Sequence, residues 1–373
     1  MQAQRAPSDT DHDPRAEPYQ QLNCHGLALS LPLPGAICFR IVCPLISTNS
    51  CSYVTPAPEI LDFNARAENF PVAGWFIAKH LRPAVRAYYA FARLADDIAD
   101  ATDLSIIKKL SALDDVEKAL LNGTGSGNSA DDQVHQVARS LGAIMRERDL
   151  PMALATNLLT AFRADARNTI IFRLDDLRQY CTHSAAPVGR FLLAIHHASD
   201  GYAASDALCA ALQILNHVQD AHEDARLLKR CYIPLDWLNA QGIDLIDLQN
   251  LMGQNVFRPG YVAIRDDYAE HVAEDGGERT TAIKPKKIDA IKLRTCLNML
   301  LDEVEVLLVT AQPLPRLLMN RGLAAQSAAI LCLARRLLQR LRAVDPWHHR
   351  VDLRAFDWMV AGVMGARVRL FRS

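Results

Sequence analysis

Two segments more than a hundred residues apart each place a pair of aspartates four positions apart: Asp96 and Asp100 in YYAFARLADDIAD, then Asp220 and Asp224 in LQILNHVQDAHEDAR. A helix returns to one face every three to four residues, so Tyr89, Arg93, Asp96 and Asp100 form one stripe and Gln213, Asn216, Asp220 and Asp224 another. Ala, Leu, Ile, Val and Phe surround both stripes, which turns them toward the interior of a helical body. Two carboxylates about 4 Å apart repel by roughly 4 kcal/mol at an effective dielectric of about 20. Hard cations relieve that repulsion, and Mg²⁺ typically takes one or two carboxylates, several waters and a substrate phosphate. A single DxxxD is ordinarily a solvated face. Two copies, each with neutral or cationic polar partners in apolar surroundings, predict a Mg²⁺-diphosphate clamp between facing helices.

The elements that would position these acids are helical almost throughout. From Glu68 onward apolar residues recur at the helical period, with Pro or Gly at the breaks and no order of alternating strands, which predicts an all-α fold. At 373 residues, half of them hydrophobic, the chain has material for one large domain, placed here at residues 59–373, with a polar segment at 273–287 expected as a mobile insertion. Residues 1–58, rich in Pro, Asp and Gln, lack a sustained period and are expected as a poorly ordered extension. The apolar stretch from Leu27 to Ile46 is interrupted by Pro32, Pro34, Arg40 and Pro44, and no basic start of a signal peptide precedes it. A net charge of −1 with scattered basic residues argues against nucleic acid as a partner. The nine cysteines form no CxxC pairs and fit a reducing cytoplasm. Arg367, Arg369 and Arg372 beside Leu370 and Phe371 read either as a solvated helix end or as a peripheral contact with an anionic membrane.

With both acid motifs in view, the chain from Glu68 to Trp358 resembles the squalene/phytoene synthase family of head-to-head prenyl transferases. Three motifs carry the resemblance: Arg82 to Arg93 followed by Asp96-Asp97-Ile98-Ala99-Asp100; Tyr180-Cys181 leading to Ser184-Ala185-Ala186-Pro187-Val188-Gly189; and Gln213 to Asp224, continuing to Arg226 and Tyr232-Ile233-Pro234. Within the family, Glu68-Asn69-Phe70-Pro71-Val72, the run Asn216 to Asp220, and a stretch from Asp224 to Tyr232 one residue longer than in phytoene synthases are similar to the hydroxysqualene-forming branch of the hopanoid route.

That resemblance implies a single large helical bundle of the isoprenoid synthase type with a central cavity. It implies Mg²⁺ held by Asp96, Asp97, Asp100, Asp220 and Asp224 with Asn216 as a neutral oxygen donor, Asp97 lying about 100° off the stripe. The implied substrate is presqualene diphosphate, ionised to a cation that rearranges and is quenched by water, with other enzymes of the squalene route as partners. Arg93, Gln213, Asn216, Arg226, Arg230 and Tyr232 are the expected substrate contacts, and Tyr89, Arg93, Tyr180 and Gln219 the expected catalytic groups. Tyr89 and Tyr180 would offer a hydroxyl to the diphosphate and a ring face to the cation. His217 and Gln219 would hold the quenching water, against the alternative that both flank the stripe and face away. Pro187 and Gly189 would let the cavity wall kink and pack closely, while Phe70, Phe91, Leu158, Phe162, Phe191 and Leu212 are tunnel candidates by spacing alone, plain core being the competing assignment. Asp165 is expected in a supporting place. Two further readings stay open: head-to-head condensation of two prenyl diphosphates, and a non-catalytic scaffold of a lipid-synthesis complex. A di-iron bundle would need Glu and Glu-x-x-His pairs on facing helices, which the sequence does not supply.

Overall fold

Helix α1 (Arg82–Asp100) has a proline in its first turn, where the missing N–H has no helical acceptor to lose, and contains no glycine. The period of Ala84, Val85, Tyr88, Phe91, Ala92, Ala95 and Ala99 is therefore carried unbroken as one buried face. A computed structural model describes residues 76–123, 130–245, 248, 289–347 and 350–371, with the side chains of 130–133 and 226 excepted. The expected extension at 1–58, Phe70 and the insertion at 273–287 lie outside the described residues.

Helix α2 (Ile106–Asn122) starts at Ser105, whose hydroxyl accepts the Lys108 N–H at 3.4 Å, and stops at Gly123, whose φ of 62° suits a residue without Cβ. Then follow α3 (Ala130–Glu147), α4 (Ala153–Ala166), α5 (Leu174–Ser184), α6 (Ala186–Ile195) and α7 (Tyr202–Glu223). After a π turn at Asp224–Leu228 come α8 (Leu235–Ala240), α9 (Ala290–Ala311), α10 (Leu314–Leu317), α11 (Arg321–Ala343) and α12 (Ala355–Phe371). Asp289 caps α9 by accepting the Ile291 N–H, and Asn320 caps α11 by accepting that of Leu323, each at 2.9 Å. Among the described residues there is no β-strand, as the periodicity predicts.

The bundle buries its apolar surface in two cores. One gathers Tyr88 and Phe91 of α1, Leu113 and Leu120 of α2, Leu141 and Met145 of α3, and Leu158 and Phe162 of α4. The other joins α5, α7, α9 and α11 through Leu177, Leu215, Leu297, Leu301, Leu333 and Leu337. Helices α4 and α6 serve both: Phe162 and Phe191 belong to the first core, Ala161 and Leu193 to the second. The two acid-bearing helices thus belong to different cores.

An apolar cavity, partly open to solvent, runs between α6, α7, α10 and α11. Leu192, Leu208, Leu212, Leu314, Leu318 and Ile330 supply its hydrophobic wall. Of the tunnel candidates, Leu212 lines it, whereas Phe91, Leu158, Phe162 and Phe191 are plain core, because α1, α4 and α6 turn those faces on one another. Gly189 lets α6 close on α7: a Cβ there would stand 2.7 Å from Cys209 Sγ and closer still to Ser205 Oγ.

Candidate active site

Helix α7 carries Gln213 and Asn216 at the polar end of the cavity, Asp220 one turn on, and Asp224 where the regular helix gives way to the π turn. A π turn admits more chain per turn than an α-helix and is a frequent feature of functional sites. Lys229 then adopts a left-handed φ of 59°, and its N–H donates to Asp224 O. The chain reverses there, so Arg230 points back across the bundle. Its guanidinium donates to Asp100 Oδ1 at 2.5 Å and to the main-chain oxygens of Ala99 and Asp165 at 3.0 and 3.2 Å. Those oxygens lie in the last turns of α1 and α4, where the helix dipole favours a cation. Arg230 is buried, and although burial opposes its charge, Tyr232, Asp165 and Asp100 hold its proton firmly.

Asp165 sits beneath this arginine as the hub of a buried polar group. Tyr180 and Tyr232 donate their hydroxyls to its two oxygens at 2.9 and 2.8 Å. Desolvation pushes the Asp165 carboxyl above its ordinary range, while Arg230 and the tyrosine hydroxyls pull it down. His217 stacks on Tyr232 with ring centroids 3.5 Å apart and accepts from the Gln213 amide at Nε2, 3.0 Å away. Burial lowers the His217 pKa to about 4, so the ring is neutral at pH 7 and carries its hydrogen on Nδ1, 3.9 Å from Asp224 Oδ2. Asp224 is buried and neither of its carboxylate oxygens has a hydrogen-bond partner. Desolvation raises its pKa well above the usual carboxylate range, and Arg230 only partly opposes this.

Across from these groups, Asp96 is buried, and desolvation followed by the charge of Asp100 raises its pKa well above normal. Arg93 lies 3.7 Å from Asp96 and 2.8 Å from Asp97. Asp97 itself is exposed, in keeping with its offset from the stripe. Half-buried Tyr89 is close enough to raise the Arg93 pKa by its charge, after Asp97 and Asp96 and against desolvation.

The acids therefore gather around arginines. Among the described residues, no three His, Cys, Asp or Glu side chains stand close enough to hold one ion. Arg230 pairs with Asp100, and Arg350 with Asp220 at 2.6 Å. The donors nevertheless suit a hard cation in kind: carboxylate oxygens from two helices, with a buried, unpartnered pair on Asp224.

Gln219 departs from its expected place. Its amide donates to Val351 O at 2.6 Å and to Asp352 Oδ1 at 3.2 Å, tying α7 to the segment before α12 instead of facing the cavity. The Arg226 side chain lies outside the described residues. Tyr180 is buried and offers its hydroxyl to Asp165, so its donor proton is already engaged. Arg350 escaped the sequence reading because its partner Asp220 is 130 positions away. So did Gln326 and Ser327, which line the cavity from α11 without any local motif.

The squalene/phytoene synthase family model matches residues 63–288. The chain is 34% identical over 306 residues to a hydroxysqualene synthase of Rhodopseudomonas palustris, covering 81% of this chain and 90% of that one. It is 33% identical over 299 residues to a hydroxysqualene synthase of Sinorhizobium fredii, covering 80% and 87%. Among solved structures, a squalene synthase from Alicyclobacillus acidocaldarius superposes with a TM-score of 0.52 at 26% identity, covering 72% of this chain and 85% of its own. A dehydrosqualene synthase, at 18% identity and a TM-score of 0.54 over 78% and 88% of the two chains, shares the fold.

Proposed function

The chain belongs to the squalene/phytoene synthase family, and from that premise we propose that it converts presqualene diphosphate to hydroxysqualene with release of diphosphate. The observation that carries this reading is the sequence of groups along α7: Gln213 and Asn216 line the apolar cavity, and Asp220 follows Asn216 one turn on. An isoprenoid diphosphate has that same division, with tails for the cavity and an anionic head for Arg93, Arg230 and Arg350. Arg226, on the π turn, is the further arginine assigned to the head.

Asp96, Asp100, Asp220 and Asp224, with Asn216, are the donors assigned to Mg²⁺, and Asp97 stands behind them through Arg93. When bound, the ion neutralises charge on the leaving diphosphate and orients it. Arg230 and Arg93 hold diphosphate oxygens as the carbon–oxygen bond breaks and its electron pair leaves with the diphosphate. The cyclopropylcarbinyl cation that remains rearranges to an allylic cation. Tyr180, Tyr232 and His217, packed on one another, are the aromatic group assigned to support that charge. Water adds to the cation and loses a proton, so no hydride donor enters. Gln213 and neutral His217 are the polar pair assigned to that water. Enzymes that supply presqualene diphosphate and consume the alcohol are the implied partners.

The test is incubation of the full chain and Mg²⁺, without NADPH, separately with presqualene diphosphate and with farnesyl diphosphate, reading products by mass spectrometry. Hydroxysqualene from presqualene diphosphate alone is expected. Presqualene diphosphate formed from farnesyl diphosphate would assign the condensing reaction instead, and silence with both would favour the scaffold.

A further inference from the structure

We propose that the exposed face of α12 docks the protein on an anionic membrane surface. At 100° per residue, Phe356, Met359, Val363, Met364, Leu370 and Phe371 fall on one side of this helix. Their exposure is high, 62% for Val363, 69% for Leu370 and 77% for Phe371. The opposite side, Asp357, Ala361 and Gly365, is buried against α11. A Cβ at Gly365 would stand 2.9 Å from Ala325 O, so the two helices are in close contact and the apolar face is held outward. A contiguous run of large exposed hydrophobics marks an interaction surface.

Charge selects the partner. The chain as a whole carries −1, yet residues 321–371 contain nine arginines and three aspartates. Arg367 lies within the apolar stripe, Arg369 is exposed on the flank roughly 80° beyond its edge, and neither forms an ion pair with a described residue. Asp357, the one acid of α12, is turned inward and bound by Arg340 at 2.7 Å and Arg336 at 3.4 Å. The outward face therefore combines apolar side chains with uncompensated positive charge. That pattern suits anionic lipid and opposes a second copy, which would bring like charge against like. Among the described residues no helix is long and apolar enough to cross a membrane, so the contact is peripheral.

Docking here would set the cavity beside the bilayer. Helix α11 supplies Leu323, Gln326, Ser327 and Ile330 to the cavity on one side and packs on α12 on the other. Leu317 and Met319 are exposed next to Leu318 of the cavity wall. This link to an isoprenoid product rests on the proposed reaction, whereas the docking itself does not.

The experiment is co-sedimentation of the full chain, without substrate, with vesicles of phosphatidylcholine alone or mixed with phosphatidylglycerol. The expected result is pelleting with the mixed vesicles that weakens as salt rises. Arg367→Gln with Arg369→Gln should weaken binding about 25-fold, at roughly fivefold per arginine. Val363→Ser with Leu370→Ser should weaken it too, with the helical circular dichroism unchanged. Failure of the unmodified chain to pellet with mixed vesicles would overturn the proposal, as would serine variants that pellet undiminished. A sedimentation-velocity shift from dimer to monomer in the serine variant would also overturn it, assigning the face to a second copy. Because no substrate is present, a failed turnover assay and a failed vesicle assay are independent results.

Discussion

Asp224→Asn should make the metal-free protein more stable while removing turnover. The wild-type carboxylate is 1% exposed, both its oxygens lack hydrogen-bond partners, and its nearest imidazole, His217, is neutral at pH 7. A buried ion carries an effective penalty of several kcal/mol, of which the Arg230 charge returns only part. Asparagine removes the charge but leaves an amide in the same place, at about 1–3 kcal/mol if unpaired. The ionic term is larger, so a net gain of about 1–2 kcal/mol is expected, which is roughly 1–3 °C in Tm for a domain of this size at about 2.1 cal/mol/K of unfolding entropy per residue. The pH dependence follows from the raised pKa of Asp224 in the folded state. A raised carboxylate adds stability that is fully present below the unfolded value near 4 and is lost as pH rises through the folded pKa. The advantage of the variant should therefore be largest at neutral pH and shrink as pH falls toward about 4. Mg²⁺ supplies the second arm, since a ligand at about 100 times its Kd stabilises the folded chain by ~2.7 kcal/mol. The wild type should gain several degrees with Mg²⁺ and diphosphate, and the variant markedly less. Scanning calorimetry with and without the two ligands measures both arms. A metal-free variant less stable than wild type, or an equal ligand-induced shift, would refute the assignment of Asp224 as a strained donor.

Arg230→Met removes the cation shared by Asp100 and the α1 and α4 ends and should cost about 3–5 kcal/mol, seen in urea unfolding, as expected for breaking a buried pair. Gly189→Val should lower Tm by an amount equivalent to about 1–3 kcal/mol and raise KM, because the added carbons meet Ser205 and Cys209 at the cavity wall. Gln219→Ala should cost about 1–2 kcal/mol in urea unfolding yet leave the ratio of alcohol to hydrocarbon products unchanged, since its amide serves Val351 and Asp352; a changed ratio would return Gln219 to the water-holding role. Arg350→Met removes one cation from Asp220 and should reduce kcat more than Tm, checked by steady-state kinetics alongside calorimetry.

The helices were legible because a 3.6-residue period and its caps are local properties. Asp96 and Asp100, like Asn216 and Asp220, could be placed on common faces from spacing alone. What joins the two stripes was not legible, because it depends on where the chain reverses. The stretch from Asp224 to Tyr232 stood out in the sequence for its length, but nothing local states that a π turn and a left-handed Lys229 absorb it. That reversal sends Arg230 to Asp100 and Tyr232 to Asp165, so contacts 130 and 67 positions apart arise from one local irregularity. The phenylalanines failed as tunnel candidates for a related reason. Phe91, Phe162 and Phe191 have the same period whether they face a ligand or one another, and only the pairing of α1 with α4 and α6 decides between them. Lengthening or shortening 224–229 by one residue should therefore uncouple the acid motifs while leaving both apolar cores intact. A shortened chain that kept its helical circular dichroism but lost both turnover and the stabilisation by Mg²⁺ and diphosphate would place the site's assembly in that turn. Retained turnover would show that Arg230 reaches Asp100 by some other route.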